Sequence, residues 1–156
     1  MTNFVYLKRE RLKELENELL YLKTKGRDDV AQRIAEARSY GDLSENAEYD
    51  AAKEAQEMLE VRIRRLANIL SRVRVVEPEK LPKDKVHILS NIKVKNLNNS
   101  EIVEYVIVSP EEADFEKGKL AATTPVGQAF IGKAIGDKIE IKVPAGVMKY
   151  EIISIE

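Results

Sequence analysis

Hydrophobic residues in the first half of the chain recur with the period of a helix. Leu12, Leu15, Leu19 and Leu22 are separated by three and four residues, and Val5 lies one heptad before Leu12. Charged residues occupy most of the positions between them. This spacing is that of a coiled-coil seam, so it predicts a long amphipathic helix.

The apolar stripe continues on the far side of Gly26, through Val30, Ile34 and Ala37. Glycine inside a helix costs roughly 1 kcal/mol relative to alanine, so we expect the helix to loosen locally at this point. An alternative is a restarted helix that is capped by one of the next two acids, Asp28 or Asp29.

A second and more regular heptad series follows. It predicts another helix, which the prolines from Pro78 onward should end. No proline precedes Pro78. The apolar positions of this series are Ala52, Leu59, Ile63, Leu66, Leu70 and Val73.

The segment SYGDLSEN, residues 39–46, separates the two series. Gly41 suits the end of one helix, and Asp42 or Ser44 suits the start of the next. Two such helices with a short connection pack antiparallel. Arms of about 30 residues, at about 1.5 Å per residue, predict a hairpin roughly 45–50 Å long.

The second half of the chain changes to a period of two, which is typical of strands. Ile92–Lys95 alternates, Asn98 and Asn99 form a turn, and a strand returns through Val108. Residues 138–143 and 147–155 predict a second strand pair. This half is therefore predicted to be a small α+β domain.

Composition agrees with two parts rather than one large core. Of the 156 residues, 34% are charged and 6% are aromatic, and there is no Trp. These values favour long exposed helices. The predicted fold class is α+β with two domains: a helical hairpin over residues 1–77, a linker at 78–83 and the small domain at 84–156.

Charge and cysteine content narrow the function. The net charge of −1 gives no reason to expect nonspecific binding of nucleic acid. The absence of cysteine excludes disulfides and thiolate metal sites. No apolar run approaches the roughly 20 residues of a membrane span. We therefore expect a cytoplasmic protein without a membrane partner.

Asp42 and Glu45 are the candidate chemical groups of the turn. They form a D-x-x-E pattern, which is a capping box at a helix start, and on spacing alone this interpretation is the stronger. Their place at the end of a long hairpin suggests a further role. Mg²⁺ is often held by one or two protein carboxylates, so a second macromolecule could complete a metal site here.

The stretch AEARSYGDLSENAEYDAAKEAQ, Ala35 to Gln56, resembles the hairpin tip of the bacterial transcript-cleavage factors of the GreA/GreB family. The segment TPVGQAFIGKAIGDKIEI, Thr124 to Ile141, is similar to the family's second domain, which has an FKBP-like fold. The resemblance extends over the whole chain. It implies an antiparallel coiled-coil hairpin followed by an FKBP-like domain.

The resemblance also implies a function. The hairpin would enter the secondary channel of bacterial RNA polymerase, and Asp42 and Glu45 would help to hold a Mg²⁺ ion that is shared with the polymerase active centre. Backtracked nascent RNA would then be cleaved. The protein would be an accessory factor rather than an enzyme, a monomer that binds no cofactor alone.

Several further residues match family positions. Asn46 and Tyr49 would support the acids, and Arg38 and Lys53 would face the 3′ segment of the nascent RNA. First-turn packing and solvated helix charges are the alternatives for these residues. The segment Thr123, Thr124 and Pro125 would dock on the polymerase, or would simply begin a short helix.

Two other functions stay open at this point. A binding-only regulator could occupy the channel and inhibit the polymerase. A coiled-coil adapter or peptide-binding module could instead use the second domain alone. The only histidine, His87, precedes a strand and is expected to be structural or exposed.

Overall fold

The computed structural model describes residues 3–42 and 46–156. The chain forms two compact units. One comprises Glu10–Arg72, and the other comprises Met1–Arg9 together with Val73–Glu156. The predicted division differs, because it grouped both ends of the hairpin segment with the hairpin rather than with the second unit.

The Glu10–Arg72 unit is a pair of helical arms. The first arm consists of α1 (Arg9–Tyr21), a π-helical turn (Leu22–Gly26) and α2 (Arg27–Arg38). The second arm is α3 (Ala47–Leu70), a regular helix of 24 residues. Asn46 contacts Ala37, and Arg27 contacts Glu60 farther along both arms. The predicted antiparallel hairpin is confirmed.

The predicted seam is the buried face of the hairpin. Two ion pairs join the arms beside this face. Arg27 donates two hydrogen bonds of 2.9 and 3.1 Å to Glu60, and Arg62 donates two of 3.1 and 2.9 Å to Glu18. Ile69 is buried as well, although it was not among the predicted seam residues. The buried side chains of this unit are Leu15, Ile34, Ala37, Ala52, Ile63, Leu66 and Ile69.

The helix does loosen next to Gly26, as a π-helical turn that remains helical. Gly26 itself has φ −61° and ψ −46°. The alternative of a restart capped by Asp28 or Asp29 is wrong, because a continuous helical backbone needs no new N-cap. Thr24 donates its hydroxyl hydrogen to the carbonyl of Leu20 at 2.8 Å, which satisfies an acceptor inside the widened turn.

The heptad spacing predicted that Val5 and Val73 belong to the helical seam, and this prediction is wrong. They lie opposite each other in a parallel pair of short strands, β1 (Val5–Leu7) and β2 (Val73–Val75). Helix α3 has already ended at Leu70. β-Branched residues favour extended backbone, and single residues at heptad spacing cannot reveal a change of period.

The further elements of the second unit are β3 (Asn91–Asn96), β4 (Ile102–Val108), β5 (Lys119–Ala121), α4 (Pro125–Phe130), β6 (Lys138–Val143) and β7 (Gly146–Ile155), with 3₁₀ turns at Pro78–Lys80, Pro110–Glu112 and Phe115–Lys117. The five strands form one sheet in the order β5-β4-β3-β7-β6. Both predicted strand pairs are confirmed, but the parallel edge strand β5 was not predicted.

Phe130 at the end of α4 lies at the centre of this core and is fully buried. Its ring centroid is 6.3 Å from that of Tyr105 and 5.7 Å from that of Tyr150, the latter at an edge-to-face angle. Burial, together with the neighbouring Tyr105, raises the pKa of the Tyr150 hydroxyl. The predicted combination of a helical hairpin with a strand-rich α+β unit is confirmed.

None of the helices in the described ranges, 3–42 and 46–156, is long and apolar enough to cross a membrane.

Candidate functional site at the hairpin turn

The first arm ends in a tight turn. Ser39 and Tyr40 donate their backbone N–H groups to the carbonyls of Glu36 and Ala37 at 3.1 and 3.2 Å. Gly41 follows with φ +115°, a conformation that glycine adopts without the steric cost of a side chain. The prediction that Gly41 suits the helix end agrees with this backbone.

Helix α3 begins at Ala47, and its N-cap is Asn46. The Asn46 Oδ1 atom accepts the backbone N–H groups of Glu48 and Tyr49, both at 3.1 Å. The prediction that Asp42 caps this helix is therefore wrong. Asn46 has the extended backbone of an N-cap and directly precedes the helix, whereas Asp42 lies too far upstream. The other predicted members of the cap, Ser44 and Glu45, lie outside the described residues.

Asn46 also contacts the first arm. Its Nδ2 atom donates to the carbonyl oxygen of Ala37 at 2.6 Å. Ala37 is buried in the last turn of α2, and Asn46 is half-buried. One side chain therefore joins the end of one helix to the beginning of the next.

Arg38 and Tyr49 lie together beside this contact. The guanidinium carbon of Arg38 is 5.9 Å from the centroid of the Tyr49 ring, within the range of a cation–π interaction. Tyr49 is half-buried and Arg38 is exposed. The structure thus brings together three of the residues predicted to support the turn, Arg38, Asn46 and Tyr49.

Lys53 is not part of this cluster. It is exposed, and its Nζ atom donates to Oε1 of Gln56 at 3.0 Å, one turn along the same helix. Its predicted role toward the nascent RNA stays a prediction.

Asp42 is exposed at the turn. It lines an open groove together with Tyr40, Asn46, Ala47 and Glu48. Among the described residues, no three His, Asp or Glu side chains are grouped so that they could hold a metal ion. A carboxylate here is a suitable oxygen ligand for Mg²⁺, but further ligands would have to come from another molecule.

The predicted docking segment lies in the other unit, at the start of α4. Thr124 is the N-cap, since its hydroxyl oxygen accepts the N–H of Gly127 at 3.1 Å and its hydroxyl donates to the carbonyl of Ala121 at 2.8 Å. Pro125 occupies the first helical turn, which confirms the predicted helix start. Thr123 is exposed and contributes to the wall of a groove of about 320 Å³.

Sequence reasoning missed the aromatic residues along that groove. Phe4 and Tyr6 line it together with Ile88 and Pro110, which lie in turns. The guanidinium carbon of Arg74 lies 4.4 Å from the centroid of Phe4. The one feature of the sequence that could have indicated them is the run of apolar and aromatic residues before the first helix. That run was interpreted as part of the heptad series, because it contains Val5.

Comparison with known proteins finds relatives that match along nearly the whole chain. The N-terminal domain of the GreA/GreB transcription elongation factors matches residues 5–75, and the C-terminal domain of the same factors matches residues 81–156. Transcription elongation factor GreA of Chlorobaculum parvum is 48% identical over 156 residues, covering 99% of this chain and 98% of that protein. GreA of Flavobacterium johnsoniae is 44% identical over 155 residues, with the same coverage.

Solved structures of related factors are similar as well. GreA factor homolog 1 of Thermus thermophilus is 22% identical, with a TM-score of 0.45 and coverage of 99% of both chains. A GreA/GreB elongation factor from Nitrosomonas europaea is 23% identical, with a TM-score of 0.44 and coverage of 98% of both chains.

The two domain matches and the full-length identity define a transcription elongation factor, and the chain belongs to the GreA/GreB family. The family resemblance of the hairpin turn and of the second domain is confirmed.

Proposed function

We propose that this protein is a transcript-cleavage factor of the bacterial cytoplasm. Its hairpin enters the secondary channel of RNA polymerase as a monomer and stimulates Mg²⁺-dependent cleavage of backtracked nascent RNA, which rescues arrested complexes. Membership of the elongation-factor family supports this proposal. The observation that carries it is the exposed carboxylate of Asp42, at the turn between two long antiparallel helices.

The acids of the turn act as ligands for an ion that the polymerase shares. Asp42 and Glu45 hold a second Mg²⁺ together with polymerase groups and orient the attacking water. A pair of bound Mg²⁺ ions supplies charge stabilisation for the attacking and leaving oxygens of an in-line displacement. The chain lends ligands and binds no cofactor alone, so the reaction remains that of the polymerase.

The residues around the turn are compatible with a role in which this chain supplies metal ligands and the polymerase carries out the reaction. The side chain of Asn46 accepts the N–H groups of Glu48 and Tyr49 at the start of α3. Asn46 is thus the N-cap of the helix that follows Asp42. Arg38 and Lys53 are exposed cations near the turn and can contact phosphates of the displaced RNA 3′ segment.

The second unit binds the outside of the polymerase. Thr123 and Pro125 are exposed, next to the capping hydroxyl of Thr124. We expect this surface to determine affinity, whereas the turn determines the cleavage rate.

A cleavage assay on stalled, backtracked polymerase with Mg²⁺ tests the proposal. The protein should accelerate cleavage, and Asp42→Asn and Glu45→Gln should each reduce the rate on the order of 100-fold, the scale of losing one preorganised charged group. Polymerase binding should be retained. Asp50→Asn, at an exposed acid of the same helix start, is the matched control and should cleave normally.

Three results would contradict the proposal. Wild-type protein that leaves the cleavage rate unchanged would reject it. Slower elongation through pause sites without cleavage would instead indicate a binding-only inhibitor. Loss of polymerase binding in the Asp42→Asn variant would make the turn a docking element.

A further inference from the structure

Asn46 uses both ends of its carboxamide. The oxygen accepts two N–H groups of α3, and the nitrogen donates to the Ala37 carbonyl of α2. The opposite orientation of the amide would direct its NH₂ group at two donors and its oxygen at an acceptor. The hydrogen-bond partners therefore define this orientation chemically.

The bond to Ala37 closes the turn at its base. Ala37 is a buried residue in the last turn of α2, and its carbonyl accepts the N–H of Tyr40 at 3.2 Å as well as the amide of Asn46. The bond is 2.6 Å long, and it joins positions 37 and 46 directly across the connection. Both ends of the acid-bearing segment are thus held by one side chain.

A second contact between the arms lies at the same level. Arg38 is the neighbour of Ala37, and Tyr49 provides one of the N–H groups that Asn46 accepts. The cation–π contact of these two residues joins the same two helix turns from the side. Asn46 is nevertheless the only one of the three whose side chain hydrogen-bonds to the backbone of both arms, among the contacts of the described residues.

We propose that Asn46 is the positioning residue of the hairpin turn, holding the ends of α2 and α3 at a fixed separation so that Asp42 meets the shared metal in one geometry. This inference rests on the proposed cleavage function. In this role Asn46 acts through Asp42 rather than by its own contact with RNA or metal. Misplacement of a reacting group by about 1 Å can cost on the order of 100-fold in rate.

Two substitutions separate capping from positioning. Asn46→Ser retains an N-cap oxygen but is too short to reach Ala37, and it adds no charge. Asn46→Asp also caps well and adds a carboxylate that cannot donate to the Ala37 carbonyl. Asn46→Ala removes both functions and serves as the reference for complete loss.

The serine and aspartate variants should melt close to the wild type and bind polymerase with unchanged affinity. Their cleavage rate at saturating factor should fall about tenfold or more, and half-maximal cleavage should need more Mg²⁺. A purely structural cap would leave the Mg²⁺ requirement unchanged. Wild-type cleavage rates and Mg²⁺ requirements in both variants would overturn the proposal.

An activity-independent measurement keeps the two proposals distinguishable. Amide hydrogen exchange at Tyr40 and Gly41 should be faster in Asn46→Ser than in the wild type, because the base of the turn is no longer closed. Unchanged exchange would overturn the positioning role, whatever the cleavage result. Wild-type protein that fails to stimulate cleavage would reject the proposed function, while the exchange result still decides whether Asn46 holds the turn.

Discussion

At Gly127 the backbone of helix α4 lies too close to strand β5 to leave room for a side chain. A Cβ atom built at this position would lie 2.1 Å from the carbonyl oxygen of Ala121, and the glycine is buried. The φ angle is not the constraint here. The constraint is the space between helix α4 and strand β5, because Ala121 is the last residue of that strand.

Gly127→Ala should therefore strongly destabilise the second unit. We expect a loss of about 3 kcal/mol or more in the free energy of unfolding, at the upper end of overpacking effects. Urea denaturation measures it. Gly132→Ala is the matched control, because that glycine has φ +83° with open space around it and should lose only about 1–2 kcal/mol. Equal losses would show that the close approach is not limiting.

Single residues also show where sequence reasoning about the site succeeds. The Ala35–Gln56 segment identified the turn and three residues that the structure brings together, Arg38, Asn46 and Tyr49. It did not identify the cap, because Asp and Asn both favour this position and Asp42 lies upstream of the residue at which the helix begins. Which residue becomes the cap depends on where the backbone becomes helical again. We attribute that position to the packing of the two arms rather than to the composition of the turn.

Among elements, the π-helical turn has an explanation in the spacing of the seam. Leu22 and Val30 are eight residues apart, one more than a heptad. Positions Leu12 to Leu22 and Val30 to Ala37 would form one uninterrupted series if a single residue between them were absent. The wider turn absorbs this extra residue, so both segments keep their apolar face toward α3.

Deleting Thr24 should convert the turn into regular α-helix and stabilise the hairpin. We expect a gain of roughly 0.5–1 kcal/mol, comparable to removing a poor helix former, with unchanged helix orientation. Thermal melts followed by circular dichroism measure it. Deleting Gln32 from regular helix, between Val30 and Ile34, should instead displace the seam and destabilise it. Similar effects of the two deletions would contradict the insertion model.

The Arg27–Glu60 pair on the hairpin predicts a pH dependence. The hydrogen bonds that Glu60 accepts from Arg27, assisted by the positive charge of Arg27, lower the pKa of Glu60. The pair therefore stabilises the hairpin above the unfolded pKa of about 4.3, and this stabilisation is lost as the pH falls through the lower folded value. Glu60→Gln should remove this part of the pH dependence between neutral and acidic melts at low salt.

The matched control for that pair is Glu57→Gln, which changes an exposed acid of the same helix. Both groups of the Arg27–Glu60 pair are accessible to solvent, so 1 M salt should abolish the difference between the two variants. A Glu60→Gln protein with the same acid sensitivity as the Glu57→Gln protein would argue against the pair.

Elements could be predicted where a pattern persisted over several periods. The two long helices and the four longer strands of the second sheet were found in this way. The short strands β1, β2 and β5 contain three residues each, which is too few to display a period of two. Val5 and Val73 even matched the heptads, because the sequence spacing continues past the point where the backbone becomes extended.

For the whole molecule, the important feature is that the second unit contains both ends of the hairpin segment. Strand β1 precedes the hairpin and β2 follows it, and they pair with each other. Tyr6 donates its N–H to the buried hydroxyl of Ser109 at 2.9 Å, and Val76 donates to the carbonyl of Leu7 at 2.9 Å. Along the sequence, the hairpin therefore lies between two segments of the second unit rather than before it.

Leu7→Ala should accordingly destabilise the second unit, although Leu7 precedes the hairpin in sequence. Leu7 is 2% exposed, so its truncation should cost about 2–5 kcal/mol. Amide exchange in β3 and β4 during urea titration would report this loss. Leu20→Ala, at a hairpin leucine that is 63% exposed, is the control and should have little effect. An effect restricted to the hairpin would contradict this assignment of β1.

The pairing of β1 with β2 also has a consequence for synthesis on the ribosome. Val73 is made roughly 70 residues after Val5, several seconds later at typical rates of about 5–20 residues per second. Helical hairpins have mostly local contacts and fold far faster than this. The folded hairpin brings its two ends together, so closing the strand pair no longer costs the entropy of a long loop. The strand that is translated first is therefore expected to reach its native partner only after the hairpin is complete.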